Sequence, residues 1–172
     1  MAGAPYGMLC AGMTKGTTMA SATDYLLRAI DLAMYNVRAG GRPFGAVVVK
    51  EGEVIATGVN AILATNDPTA HAELQAIRAA SAVLKTPRLD GCVVYASGHP
   101  CPMCLGAIYL TGISAVHYAY SNDEAEGYGL STARLYAELG KPFSEQSLQI
   151  VHHRVRPEGE DLYAAWRRMA EP

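Results

Sequence analysis

Apolar positions along this chain recur with two different periods, and the switches between them outline the elements. Leu26, Ile30, Met34 and Val37 recur at near-helical spacing, which predicts a helix over 23–39 with Thr23 as cap and Gly40-Gly41 as stop. Two apolar runs, 44–50 and 54–60, flank Glu51-Gly52 and predict a β-hairpin with buried strands. Residues 61–69 read as loop, with Asn66-Asp67-Pro68 as strong turn chemistry. Leu74, Ile77 and Ala80 share one face of a helix over 71–84. A third strand over 92–96 leads through an exposed loop to Pro102, which fits the first position of a helix ending near Gly112. A fourth strand over 115–120 is followed by loop and one or two short helices over 121–140. A fifth strand over 148–152 and a last helix over 158–170, with Leu162, Trp166 and Met169 on its apolar face, complete the chain. Residues 1–22 are Gly/Ala/Thr/Met-rich without periodicity and read as a mobile extension. A hairpin followed by strand–helix alternation predicts an α/β fold over 23–172, one domain whose mixed sheet has helices on both faces.

Composition narrows the partners. With 172 residues, half of them apolar and 17% charged, the chain is long enough for one substantial core. A net charge of −2, with no Lys/Arg run longer than Arg167-Arg168, disfavours a dedicated nucleic-acid binder and suits small substrates. No stretch approaches the ~18 consecutive apolar residues of a membrane span. Met1 to Ala20 has no basic start followed by a long apolar run, so no secretory signal is expected. The four cysteines are not spaced as a disulfide framework, which points to a reducing cytoplasm. Cys10 falls in the unpatterned extension, and Cys92 reads as a core residue of the third strand.

The candidate chemistry sits in two short stretches, His71-Ala72-Glu73 and Pro100-Cys101-Pro102-Met103-Cys104. His71, Cys101 and Cys104 are a donor set that Zn²⁺ favours. Three protein ligands leave a fourth position open, the mark of a catalytic rather than a structural site. Zinc there brings the pKa of a bound water towards neutrality, and Glu73 is left over to move protons. Cys101 and Cys104 fall at a helix start, where the dipole favours thiolate, and the flanking prolines stiffen the turn. His71 and Glu73 are two apart, which a continuous helix would put on nearly opposite sides, so His71 must take a cap or first-turn position. Several readings compete: a redox Cys-x-x-Cys pair, a satisfied core histidine, a structural zinc with His99 or another histidine as fourth ligand, and a non-catalytic zinc-stabilised interaction module.

The paired motifs resemble the zinc nucleobase deaminases. The wider sequence is similar to the cytidine deaminase-like superfamily and, within it, to the bacterial guanine deaminase branch. The similarity is carried by Pro43-Phe44-Gly45-Ala46, 66–73 and 100–109, and runs from about Thr23 to Trp166. The resemblance implies a three-layer α/β/α sandwich around a five-stranded mixed sheet and a homodimer. It makes His71, Cys101 and Cys104 the zinc ligands and Glu73 the proton shuttle. Asn60 and the Ala72 amide become contacts to the base, and Phe44 a wall against its ring; taken alone, Asn60 reads as a turn residue and Phe44 as core.

Three positions depart from that branch. Ser131-Thr132 stands where an Asp-Asp pair is expected, His99 where a Glu is expected, and the chain stops short of an aromatic-tipped tail. A pocket with fewer acids and one added imidazole suits the 2-amino-4-oxopyrimidine half of guanine, so isocytosine joins guanine as an expected substrate. Cytosine is an alternative base. A tRNA adenosine deaminase is another alternative, with Arg154, Arg156, Arg167 and Arg168 as its late basic cluster. Tyr118, Tyr120 and Tyr128 read as either mouth or packing, Trp166 as packing, and His152-His153 as an exposed strand end.

Overall fold

The structure, a computed structural model, describes residues 20–156 and 158–170. Cys10 and most of the predicted mobile extension lie outside these, as do Pro157, Glu171 and Pro172. The chain divides into two units, one ending at Ala133 and one beginning at Arg134.

In the first unit, helix α1 spans Ala22–Arg38 and strands β1 and β2 span Gly45–Lys50 and Glu53–Val59. A short helix α2 spans Ile62–Thr65 inside the predicted loop, and α3 spans Ala72–Leu84. Strand β3 (Cys92–Gly98), helix α4 (Pro102–Thr111), strand β4 (Ala115–Tyr120) and helix α5 (Asn122–Glu126) follow. The sheet order is β2-β1-β3-β4. Strand β1 is antiparallel to both neighbours, and β3 and β4 are parallel across the α4 crossover, so the sheet is mixed. The hairpin turn places Glu51 at φ 52° and Gly52 at φ 83°, the two positive values a twist-matched two-residue turn requires.

Alternation along the strands sends side chains to two cores. Val47, Val49 and Tyr95 meet Tyr25 and Ala29 of α1 on one face. Ala46, Val48 and Val94 meet Ala76, Ile77 and Ala80 of α3 and Ile108 of α4 on the other. The α1 stripe is not the predicted one. Tyr25, Ala29, Ala33 and Asn36 are buried, whereas Met34 and Val37 are 49% and 43% exposed. The reason is close approach: a Cβ on Gly45 would run into the Ala29 carbonyl oxygen, so small residues and a glycine let α1 sit directly on β1. Gly58 does the same against the backbone of α3 at Ala72. The α1 cap is Ser21 rather than Thr23, in a capping box with Asp24.

The second unit holds α6 (Ala133–Leu139, from the last residue of the first unit), a 3₁₀ turn at Phe143–Glu145 and α7 (Leu162–Ala170). Asp161 accepts hydrogen bonds from the amides of Tyr163 and Ala164 at 3.0 and 3.2 Å, which starts α7 later than predicted. The fifth strand predicted over 148–152 is not formed, so among the described residues the sheet has four strands. Leu148, Ile150 and Val151 are exposed, and without a ladder partner an apolar run has nothing to hold it extended. His152 and His153 are exposed but end no strand. Trp166 is 69% exposed, contrary to its reading as packing, and Leu162 and Met169 share that exposure.

Candidate metal centre and base pocket

Two helix starts converge. His71 is the N-cap of α3, with extended backbone at φ −74° and ψ 155°. Cys101 is the N-cap of α4 at φ −73° and ψ 166°, and Pro102 holds the first helical position. Neither cap side chain is spent on its helix amides, so both point elsewhere. The cap conformation also removes the objection that His71 and Glu73 lie two apart: His71 is outside the helical turn that carries Glu73.

His71 Nδ1 lies 3.5 Å from Cys101 Sγ and 3.6 Å from Cys104 Sγ, and the sulfurs are 3.5 Å apart. Bonds of about 2.0–2.3 Å to a tetrahedral zinc put donor atoms roughly 3.5–3.8 Å from one another, so these three donors fit one ion. They form a potential metal-binding group among the described residues. Cys104 is fully buried and Cys101 nearly so. The thiols share a hydrogen bond: it and His71 hold the Cys101 thiol down at about 4, while the same sharing and burial push Cys104 up. His71 is raised, chiefly by its bond to Cys101. One proton shared by two sulfurs beside an imidazole is an arrangement that a dication replaces directly.

Glu73, 6% exposed, is pushed above the usual carboxylate range by burial. It lines a cavity of about 160 Å³ with Arg42, Phe44, Asn60, His71 and His99. Cys101, Leu130, Ser131 and Thr132 complete much of the remaining wall. Phe44, Asn60 and His99, singled out from sequence, therefore stand around the same space as the metal-binding group. Ala72 does not line it; its side chain is in the core, and its amide is the first of α3, where helices leave donors unspent. Asn60 is 3% exposed, and its Oδ1 accepts from the Ile62 amide at 3.3 Å, which leaves its NH₂ to the cavity.

Sequence reasoning missed the residues that pin this pocket. Asn36 Nδ2 donates to the carbonyls of Arg42 and Asn60, both at 2.8 Å, fixing two cavity residues to the end of α1. Its signal was a lone polar side chain on the buried small-residue stripe. Asn122 accepts from the Thr132 amide at 3.0 Å and from its hydroxyl at 3.3 Å, and its Nδ2 lies 3.3 Å from His99 Nδ1. It ties the 129–132 segment to the loop before Cys101. Arg42 is a further lining residue that the sequence pattern did not mark. His99 also packs edge-on against Tyr118, with ring centroids 4.7 Å apart. Tyr120 and Tyr128 line a neighbouring apolar cavity of about 270 Å³ instead. Cys92 is fully buried, as expected of core.

Residues 19–120 match the cytidine and deoxycytidylate deaminase zinc-binding region, and the chain belongs to that family. It is 45% identical over 147 residues to the guanine deaminase of Bacillus subtilis, covering 85% of this chain and 94% of the relative. The X-ray structure of guanine deaminase from Bacillus subtilis superposes with a TM-score of 0.81 at 42% identity, covering 89% of this chain and 98% of that one. A tRNA-specific adenosine deaminase of Agrobacterium fabrum is 36% identical over 124 residues, 70% of this chain and 78% of the relative. Among the described residues, no helix is long and apolar enough to cross a membrane.

Proposed function

We propose that residues 23–172 work as one zinc-dependent domain that hydrolytically deaminates a free nucleobase with the 2-amino-4-oxopyrimidine pattern, guanine or isocytosine. The observation that carries this is the placement of the buried Glu73 carboxylate in the same cavity wall as His71 and Cys101, with Cys104 closing the donor set. The longer match to a guanine deaminase than to a tRNA adenosine deaminase supports a free base.

His71, Cys101 and Cys104 hold the zinc, which supplies a Lewis acid that makes water acidic enough to react near neutral pH. Glu73 takes a proton from the attacking water and gives it to the departing nitrogen; burial keeps the protonated carboxyl accessible for that return step. The water oxygen bonds to C2 of the base, the C2–N bond breaks and ammonia leaves. The Asn60 NH₂ donates to an acceptor on the ring, and Phe44 stacks against its face. His99 flanks the leaving group. Ser131 and Thr132 line the cavity without a carboxylate, which favours a single ring that needs fewer acidic contacts.

The enzyme works as a homodimer. Helix α4 is apolar on all sides, a pattern of fully buried helices, yet Tyr109 and Leu110 are 77% and 81% exposed, and a second copy covers them. Its thiolate ligands suit the reducing cytoplasm.

Glu73→Ala tests the reading. Ammonia release should vanish while zinc content and fold survive; a zinc-stabilised interaction module would lose nothing measurable.

A further inference from the structure

Arg42 lines the base cavity with its charge unspent. Its guanidinium has no hydrogen bond or ion pair among the described residues, and the residue is exposed where it lines the wall. Its backbone is fixed nonetheless. The Arg42 carbonyl accepts from Asn36 Nδ2 and from the Phe44 amide, both at 2.8 Å, and Pro43 restricts the chain between them. The root of a cationic side chain is thus fixed beside the aromatic wall.

We propose that the base this site prefers is an anion: a 2-amino-4-oxopyrimidine bearing a carboxylate or a further acidic ring oxygen, whose negative edge Arg42 reads. This rests on the deaminase reading and refines it: isocytosine turns over, and its anionic relative turns over faster.

The rest of the lining agrees. Glu73 is the one acid among the described lining residues, and it is engaged in proton transfer. The other polar groups mostly offer protons. Asn60 Oδ1 accepts from the Ile62 amide, and its NH₂ has no partner among the described residues. Ser131 Oγ accepts from the Ala133 amide at 3.3 Å, leaving its hydroxyl proton to give. Thr132 donates to Asn122 Oδ1 and keeps lone pairs, making it the exception. A wall that donates from an amide, a hydroxyl and a guanidinium complements an edge of carbonyl and carboxylate oxygens. A planar guanidinium pairs with a carboxylate through two parallel hydrogen bonds, which a neutral ring edge cannot match. The reaction is unchanged: one water is consumed, its oxygen replaces the amino nitrogen on C2, ammonia leaves, and no electrons are transferred.

The test compares kcat/KM for ammonia release from isocytosine and from 2-amino-4-oxopyrimidine-6-carboxylate, using the zinc-loaded full chain and its Arg42→Gln and Arg42→Lys variants. The carboxylate should be preferred by about tenfold or more. That ratio should fall towards one in Arg42→Gln and recover in part in Arg42→Lys. Calorimetric binding of the carboxylate to zinc-loaded Glu73→Gln should weaken by a similar factor when Arg42→Gln is added. Isocytosine turnover with no preference for the carboxylate, or a preference untouched by Arg42→Gln, overturns this inference and leaves the deaminase reading standing. No ammonia from either base or from guanine, with zinc bound, overturns both.

Discussion

Two cavities meet at a shared wall of Phe44, His99 and Leu130, and they have little else in common. The larger, about 270 Å³, is lined by Ile30, Met34 and Val37 of α1 and by Tyr120 and Tyr128. The smaller, about 160 Å³, gathers Arg42, Asn60, His71 and Glu73. Volume is therefore no guide to chemistry here. The smaller cavity lies where α3 and α4 begin, and helix starts leave amide donors unspent and favour anionic ligands. The larger lies along the flank of α1 and beside the start of α5, where the capping box of Ser121 and Glu124 already engages the Ser121 and Glu124 amides. It exists because the small residues of α1 take the sheet contact and leave the bulkier ones to the side.

Substitutions on the two sides of the wall should therefore differ by orders of magnitude. Cys104→Ser should have the largest effect. Removing a fully buried sulfur donor should take zinc from one per chain to near none and abolish turnover, checked by elemental analysis beside circular dichroism. Glu73→Gln should keep the zinc and lower kcat by roughly 10²–10⁴-fold. Asn36→Ala should come next, because it leaves the carbonyls of Arg42 and Asn60 without their partner. A stability loss of about 1–3 kcal/mol and a raised KM are expected, read from denaturant unfolding and steady-state kinetics. Met34→Ala, on the apolar side, should change kcat/KM by less than about threefold, since half-exposed positions away from polar networks contribute little. A Met34→Ala defect as large as that of Glu73→Gln would reverse the comparison.

What could be read from sequence follows the same division. The metal-binding group was legible because its chemistry is local: a Cys-x-x-Cys turn and a His-x-Glu step each bring their residues close within one helix start. The hairpin, α3, α4 and β4 were legible for the same reason, each being set by nearby periodicity and turn residues. The stripe of α1 was misassigned because large apolar residues were taken to mark the buried face. What buries a helix against a strand that offers Gly45 is smallness. The fifth strand was misassigned because an apolar run states a preference for burial without supplying the ladder partner. Asn36 and Asn122 went unread because their roles depend on hydrogen bonds between segments distant in sequence, such as Asn36 with Asn60, and Arg42 because nothing in its local sequence shows that it lines a cavity. Trp166 shows the converse: a large aromatic side chain does not guarantee a packing partner, and this one is exposed.

The most direct measurement is ammonia release by the zinc-loaded chain, run in parallel on isocytosine, guanine, cytosine and adenine. The account predicts turnover of isocytosine or guanine, with cytosine and adenine far behind, and isocytosine ahead if Ser131 and Thr132 have fitted the pocket to a single ring. Silence on all four bases with one zinc bound per chain would contradict it.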